Sequence, residues 1–103
     1  MNRITRISNM EEKLDSALSA IQQLDKAIEY YSAQLGNITE LAAYLTSEDW
    51  KADFAADEAG ELPAGLKRGV LSEDGIYNML EDNRRLEVRA AELLAEIVRR
   101  GRI

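Results

Sequence analysis

From Ile7 onward, apolar residues recur at alternating spacings of three and four: Ile7, Met10, Leu14, Ala17, Ile21, Leu24, Ile28, Tyr31, Leu35, Ile38, Ala42 and Leu45. A mean spacing of 3.5 residues draws a narrow apolar stripe down one side of an α-helix. The positions between are mostly Glu, Asp, Lys, Gln and Ser, as a solvated face requires. The pattern predicts a helix over about 5–46. Gly36-Asn37 interrupts it chemically, because Gly inside a helix costs about 1 kcal/mol relative to Ala, and Asn37 with Glu40 has the form of a fresh capping box. The stripe keeps its phase through Leu35, Ile38, Ala42 and Leu45, which favours one long helix, with any kink near Gly36.

The last third of the chain repeats the signal. Ser72 is a natural N-cap, and Glu73 and Asp74 in a first turn complement the helix dipole. The stripe is then Ile76, Met79, Asn83, Leu86, Ala90, Leu93 and Ile97, widened by Leu80, Leu94 and Val98. Arg99, Arg100 and Arg102 suit the negative pole of a helix over about 73–100, and Gly101 suits its end. Such a helix is roughly 40 Å long, enough to run antiparallel along much of the first. Asn83 falls on the stripe, where a buried Asn sets register or oligomeric state, and an edge Asn is simply solvated.

Residues 47–72 are more than a helical hairpin needs for its connection, so they carry structure of their own. Ser47 caps a short helix over about 48–58, with Glu48 and Asp49 in its first turn. Trp50 and Phe54 lie one turn apart on one face, and Asp49, Asp53 and Asp57 form the adjacent row. Gly60 fits a helix C-cap, and Leu62-Pro63 starts an extended stretch. With Leu66, Val70 and Leu71 packing beneath, Trp50, Phe54, Leu62 and Leu66 read first as a small core closing the end of the hairpin. If its rim is exposed, Trp50 and Phe54 become anchors for a protein partner.

The fold class is therefore all-α: a long antiparallel, coiled-coil-like helical hairpin with a short helical and irregular lobe between its two long helices, in a single domain over 1–103. One Pro and six Gly in 103 residues provide too few turn signals for an all-β chain. Hydrophobic residues at 46% and charged residues at 31% make a folding composition.

Charge sharpens the picture of the lobe. The net charge is −6, and residues 47–62 set one Lys against six acidic groups, whereas Lys67 and Arg68 follow close behind. An acidic chain repels phosphate backbones, so no nucleic-acid partner is expected. Three carboxylates spread over two turns, roughly 12 Å, cannot all hold one ion, and no metal is expected. The row reads as a solvated face partly paired with Lys67 and Arg68, with mimicry of a nucleic acid as the sharper alternative.

Candidate chemistry is thin. The chain has no Cys and no His, which removes thiolate sites, the commonest general base and the commonest transition-metal ligand. Gly65-Leu66-Lys67-Arg68-Gly69 lacks the order of a phosphate-binding loop. No catalytic residue, cofactor or membrane span is expected. The N-terminal Arg residues precede Glu11 and Glu12 rather than an apolar run, which points to the cytoplasm.

Arg6-Ile7-Ser8-Asn9-Met10-Glu11, Trp50-Lys51-Ala52-Asp53-Phe54, Asp57-Glu58-Ala59-Gly60, Leu62-Pro63 and Leu66-Lys67-Arg68-Gly69-Val70-Leu71-Ser72-Glu73-Asp74 together resemble a family of small bacterial proteins. It is the domain-of-unknown-function family numbered 4298. The resemblance covers most of the chain and is most specific in the central block. It implies a bacterial or phage origin and a single compact unit, and it brings no activity, ligand or site residue with it.

The residues themselves point to a non-enzymatic helical interaction or scaffold protein. A narrow stripe on each of two helices buries little in a lone hairpin and more in a four-helix homodimer. The alternative is a small acidic modulator, of immunity or anti-defence type, that binds a basic protein. Candidate protein-binding residues are Trp50, Phe54, Asp49, Asp53, Asp57, Lys67 and Arg68, and Asn83 is the candidate for setting register.

Overall fold

The computed structural model describes residues 2–101. It holds three α-helices, α1 (Arg3–Leu45), α2 (Glu48–Glu58) and α3 (Gly75–Arg100), with one 3₁₀ turn, Gly69–Leu71, ahead of α3. The all-α class with two long helices on either side of a short helical lobe is as the pattern of apolar positions indicates. Arg102 lies outside the described residues. The chain divides into two units, one ending at Gly36 and the other beginning at Asn37.

The first unit is helix alone. Asn2 starts it, its side-chain oxygen accepting the Thr5 N–H at 2.8 Å, which is the bond an N-cap makes to an otherwise unpaired amide. α1 runs through Gly36-Asn37 without a break. No Cβ would be obstructed at Gly36, so this glycine answers to no packing demand and only weakens the helix locally. No residue of α1 is fully buried.

In the second unit, α1 ends and α2 begins on a single side chain. The Ser47 hydroxyl donates to the Tyr44 carbonyl at 2.6 Å and accepts the Trp50 N–H at 3.1 Å, satisfying an orphan group from each helix. α2 closes as the sequence suggests. Glu61 N–H reaches the Ala56 carbonyl, Gly60 N–H reaches that of Asp57, and Gly60 sits at φ +72°. That pair of bonds around a left-handed residue is the Schellman arrangement, which Gly adopts without a Cβ penalty.

Beyond Pro63 the chain differs from its expected packing. Leu66 and Val70 remain exposed, and the fully buried side chains among the described residues are Leu71 (5% exposed) and Ile76 (3%). Trp50, Phe54 and Leu62 are half-buried. The small core is thus centred on the 3₁₀ turn and the start of α3, and Leu66 drops out of it.

The start of α3 is also shifted. Glu73 and Asp74 precede the helix, whose first residue is Gly75. The N-cap position therefore falls on Asp74, whose side chain makes no capping bond, and not on Ser72 as expected. The Ser72 hydroxyl instead donates to the Gly69 carbonyl at 2.8 Å and accepts the Gly75 N–H at 3.0 Å. The backbone folds so tightly there that a Cβ at Gly75 would lie 2.3 Å from the Gly69 oxygen and 2.7 Å from the Ser72 hydroxyl. Only glycine fits.

Along α3, paired charges cover the outer surface: Arg84 with Glu81, Arg85 with Asp82, and Glu96 with both Arg99 and Arg100. Gly101 at φ +78° ends it.

Candidate functional site

The lobe brings most of the sequence-nominated side chains into one neighbourhood. Trp50 and Phe54 stack nearly parallel, with ring centroids 5.1 Å apart and planes at 17°. The Trp50 indole N–H donates to the Val70 carbonyl at 2.9 Å, tying α2 to the 3₁₀ turn. Both rings keep part of their surface in solvent. They are wedges holding two segments together, with a rim left open.

The acidic row does not act as one unit. Asp57 pairs with Arg68 at 2.6 Å, both side chains partly withdrawn from solvent (24% and 37% exposed). Asp53 accepts the Tyr44 hydroxyl at 2.6 Å, which joins α1 to α2. That bond raises the Tyr44 phenol to about 12, because the proton is held by the carboxylate; desolvation and the charges of Asp53 and Asp49 push the same way. Asp49 stays exposed. Asp53 therefore ties the lobe to α1 and Asp57 closes the lobe on itself, and the expected partnership with both basic residues holds for Arg68 alone. No group of three or more acidic side chains among the described residues is placed to hold a metal ion.

Lys67 goes elsewhere. It borders a groove of about 530 Å³ whose floor is Leu41 of α1, Val70, Ile76 and Met79, with the Gly69 and Gly75 backbones alongside. The lining offers apolar contact and a single ionisable group. Asn83 lies one turn beyond Met79 on α3, half-buried, its amide donating to Glu87 at 3.2 Å.

Tyr44 and Gly75 are structurally central residues that the apolar pattern passes over. Each had a local signal: Tyr44 stands three residues before the Ser47 cap, and Gly75 stands three after Ser72. Their partners, Asp53 and Gly69, follow only from the fold.

A long apolar row lies outside the lobe. Ile7, Met10, Leu14, Ile21, Leu24, Ile28 and Leu35 are 47–66% exposed, in one line down α1, with Leu18 exposed on its flank. On α3, exposure rises away from the core: Ile76 is buried and Met79 half-buried, whereas Leu93, Ile97 and Val98 are exposed. From Ile38 on, the α1 stripe is half-buried within the second unit, at Ile38, Ala42 and Leu45.

The model of the family described as Domain of unknown function (DUF4298) matches residues 7–93. The chain belongs to that family. Both the exposed stripe of α1 and the whole of the lobe fall inside the DUF4298 match, so both are features of the part that defines membership. No curated protein and no solved structure matches this DUF4298 chain. No helix among its described residues is long and apolar enough to cross a membrane.

Proposed function

We propose that this DUF4298 protein is a non-enzymatic helical interaction protein that self-associates as a homodimer, covering the apolar stripe of α1 and the outer part of the α3 stripe. The observation that carries the reading is the exposure of seven large apolar side chains in one row from Ile7 to Leu35, with Leu18 exposed beside them. Contiguous apolar surface of that kind marks an interaction site far more often than it marks free solvent-facing helix. A single helix with a 3.5-residue apolar repeat buries its row by packing a second helix against it.

The lobe has a supporting part. Ser47, Tyr44–Asp53, Trp50–Val70 and Arg68–Asp57 hold α2 and the 3₁₀ turn in place beside the end of α1, where the stripe passes from exposed to half-buried. The open rims of Trp50 and Phe54, with the groove beside Lys67, offer a second surface for a protein partner.

Thermal unfolding followed by helicity tests this at protein concentrations spanning two decades. Self-association that stabilises the folded chain makes the midpoint rise with concentration by mass action. A midpoint that does not move with concentration rejects the homodimer.

A further inference from the structure

The flanks of the α1 stripe are sorted by sign of charge. With Ile7, Leu14, Ile21, Ile28 and Leu35 at heptad position a, and Met10, Ala17, Leu24 and Tyr31 at d, position g is occupied by Arg6, Lys13, Ala20, Ala27 and Gln34. Position e is occupied by Glu11, Leu18, Asp25 and Ser32. Every charge at g is positive and every charge at e is negative. Among the described residues, neither Arg6 nor Glu11 has an ion-pair partner in its own chain.

This sorting distinguishes the two ways a second copy can lie on the stripe. When two identical helices run parallel and in register, the g residue of one lies beside the e residue five positions later in the other. Arg6 then meets the partner copy's acidic residue at position 11. Lys13 lays its alkyl stem over the apolar side chain at position 18 and keeps its ammonium in water. When the helices run antiparallel, g faces g and e faces e, so any two charges that meet have the same sign, whatever the register. Ile stands at three of the five a positions, and the combination of Ile at a with Leu at d that favours parallel two-stranded pairing is met at Leu24, the other d positions being Met10, Ala17 and Tyr31.

We infer that a second copy of this chain covers α1 in a parallel, in-register pair running from Ile7 to Leu35. The inference rests on the self-association proposed above and adds its direction and register. The paired segment covers four heptads, roughly 42 Å. It stops where Ile38 and Ala42 become half-buried within the second unit.

The absence of native cysteine makes cross-linking of the full chain a direct test. Met10→Cys and Tyr31→Cys each place one thiol at a d position, where parallel in-register helices bring the two copies within disulfide reach. Each variant alone is expected to oxidise to a covalent dimer. A mixture of the two, allowed to exchange subunits, is expected to yield no disulfide between positions 10 and 31, which lie roughly 31 Å apart along parallel helices. In parallel with this, Arg6→Glu is expected to weaken association by roughly 2- to 30-fold, and Arg6→Glu with Glu11→Arg to restore it. A dimer that cross-links as the mixed 10–31 species, or that shows no rescue by the double reversal, overturns the parallel arrangement and leaves self-association standing. A strict monomer overturns both.

Discussion

At Tyr44, one hydrogen bond carries a measurable signature. The Asp53 carboxylate holds the phenolic proton and raises its pKa to about 12 from the ordinary 10.0. The unfolded chain gives up that proton first, so between pH 10 and 12 the folded state binds more protons than the unfolded one. The stabilisation is fully present below pH 10 and is lost as pH rises through the folded value. An ultraviolet titration of phenolate absorbance is expected to show a late component near pH 12 that Tyr44→Phe abolishes and Asp53→Asn moves to lower pH. At Gly75 the constraint is steric. A Cβ meets backbone oxygen at 2.3 Å, and backbone cannot step aside as a flexible side chain does. Gly75→Ala is expected to destabilise the fold by about 1–3 kcal/mol, read as a lower denaturation midpoint; an unchanged midpoint contradicts the tight turn. Neither effect is legible from the residue types alone, because Asp53 lies nine positions from Tyr44 and the Gly69 oxygen reaches Gly75 only through the 3₁₀ turn.

Among the elements, the helices themselves were readable, since their signals are local. Ser47 and Gly60 bound α2 at Glu48–Glu58, and the unbroken 3.5-residue phase carried α1 across Gly36. Where tertiary contact decides, local residue type does not. Glu73 and Asp74 look like the first turn of α3, yet the helix waits until Gly75 because Ser72 first turns back to bond Gly69. Leu66 looks like core by hydrophobicity, yet Leu71 and Ile76 take that place. The groove beside Lys67 is assembled from Leu41, Val70, Ile76 and Met79, residues from three segments that no local pattern links. Gly36 offers a test within one element: it lies inside α1, with nothing within 4 Å of an added Cβ. Gly36→Ala is expected to stabilise by about 0.5–1 kcal/mol, seen as a higher midpoint in urea. A loss of stability instead would mean that the chain uses a weak point there.

The whole molecule presents an imbalance that the elements do not resolve by themselves. Two apolar side chains among the described residues are fully buried, each worth about 1.5–3 kcal/mol, while the row from Ile7 to Leu35 stays open to solvent. The lobe explains how the chain shapes its centre, and its acidic row is largely spent on that task through Asp53 and Asp57. On the proposed reading a second copy covers the long stripe, with a stripe of the same length and period and with Arg6 opposite the acidic residue at position 11. Sedimentation equilibrium of the unmodified chain across the micromolar range tests this claim most directly. The homodimer gives a mass of twice the 11.6 kDa chain, falling toward the monomer on dilution and on Ile21→Lys. A mass of 11.6 kDa at every concentration would contradict it.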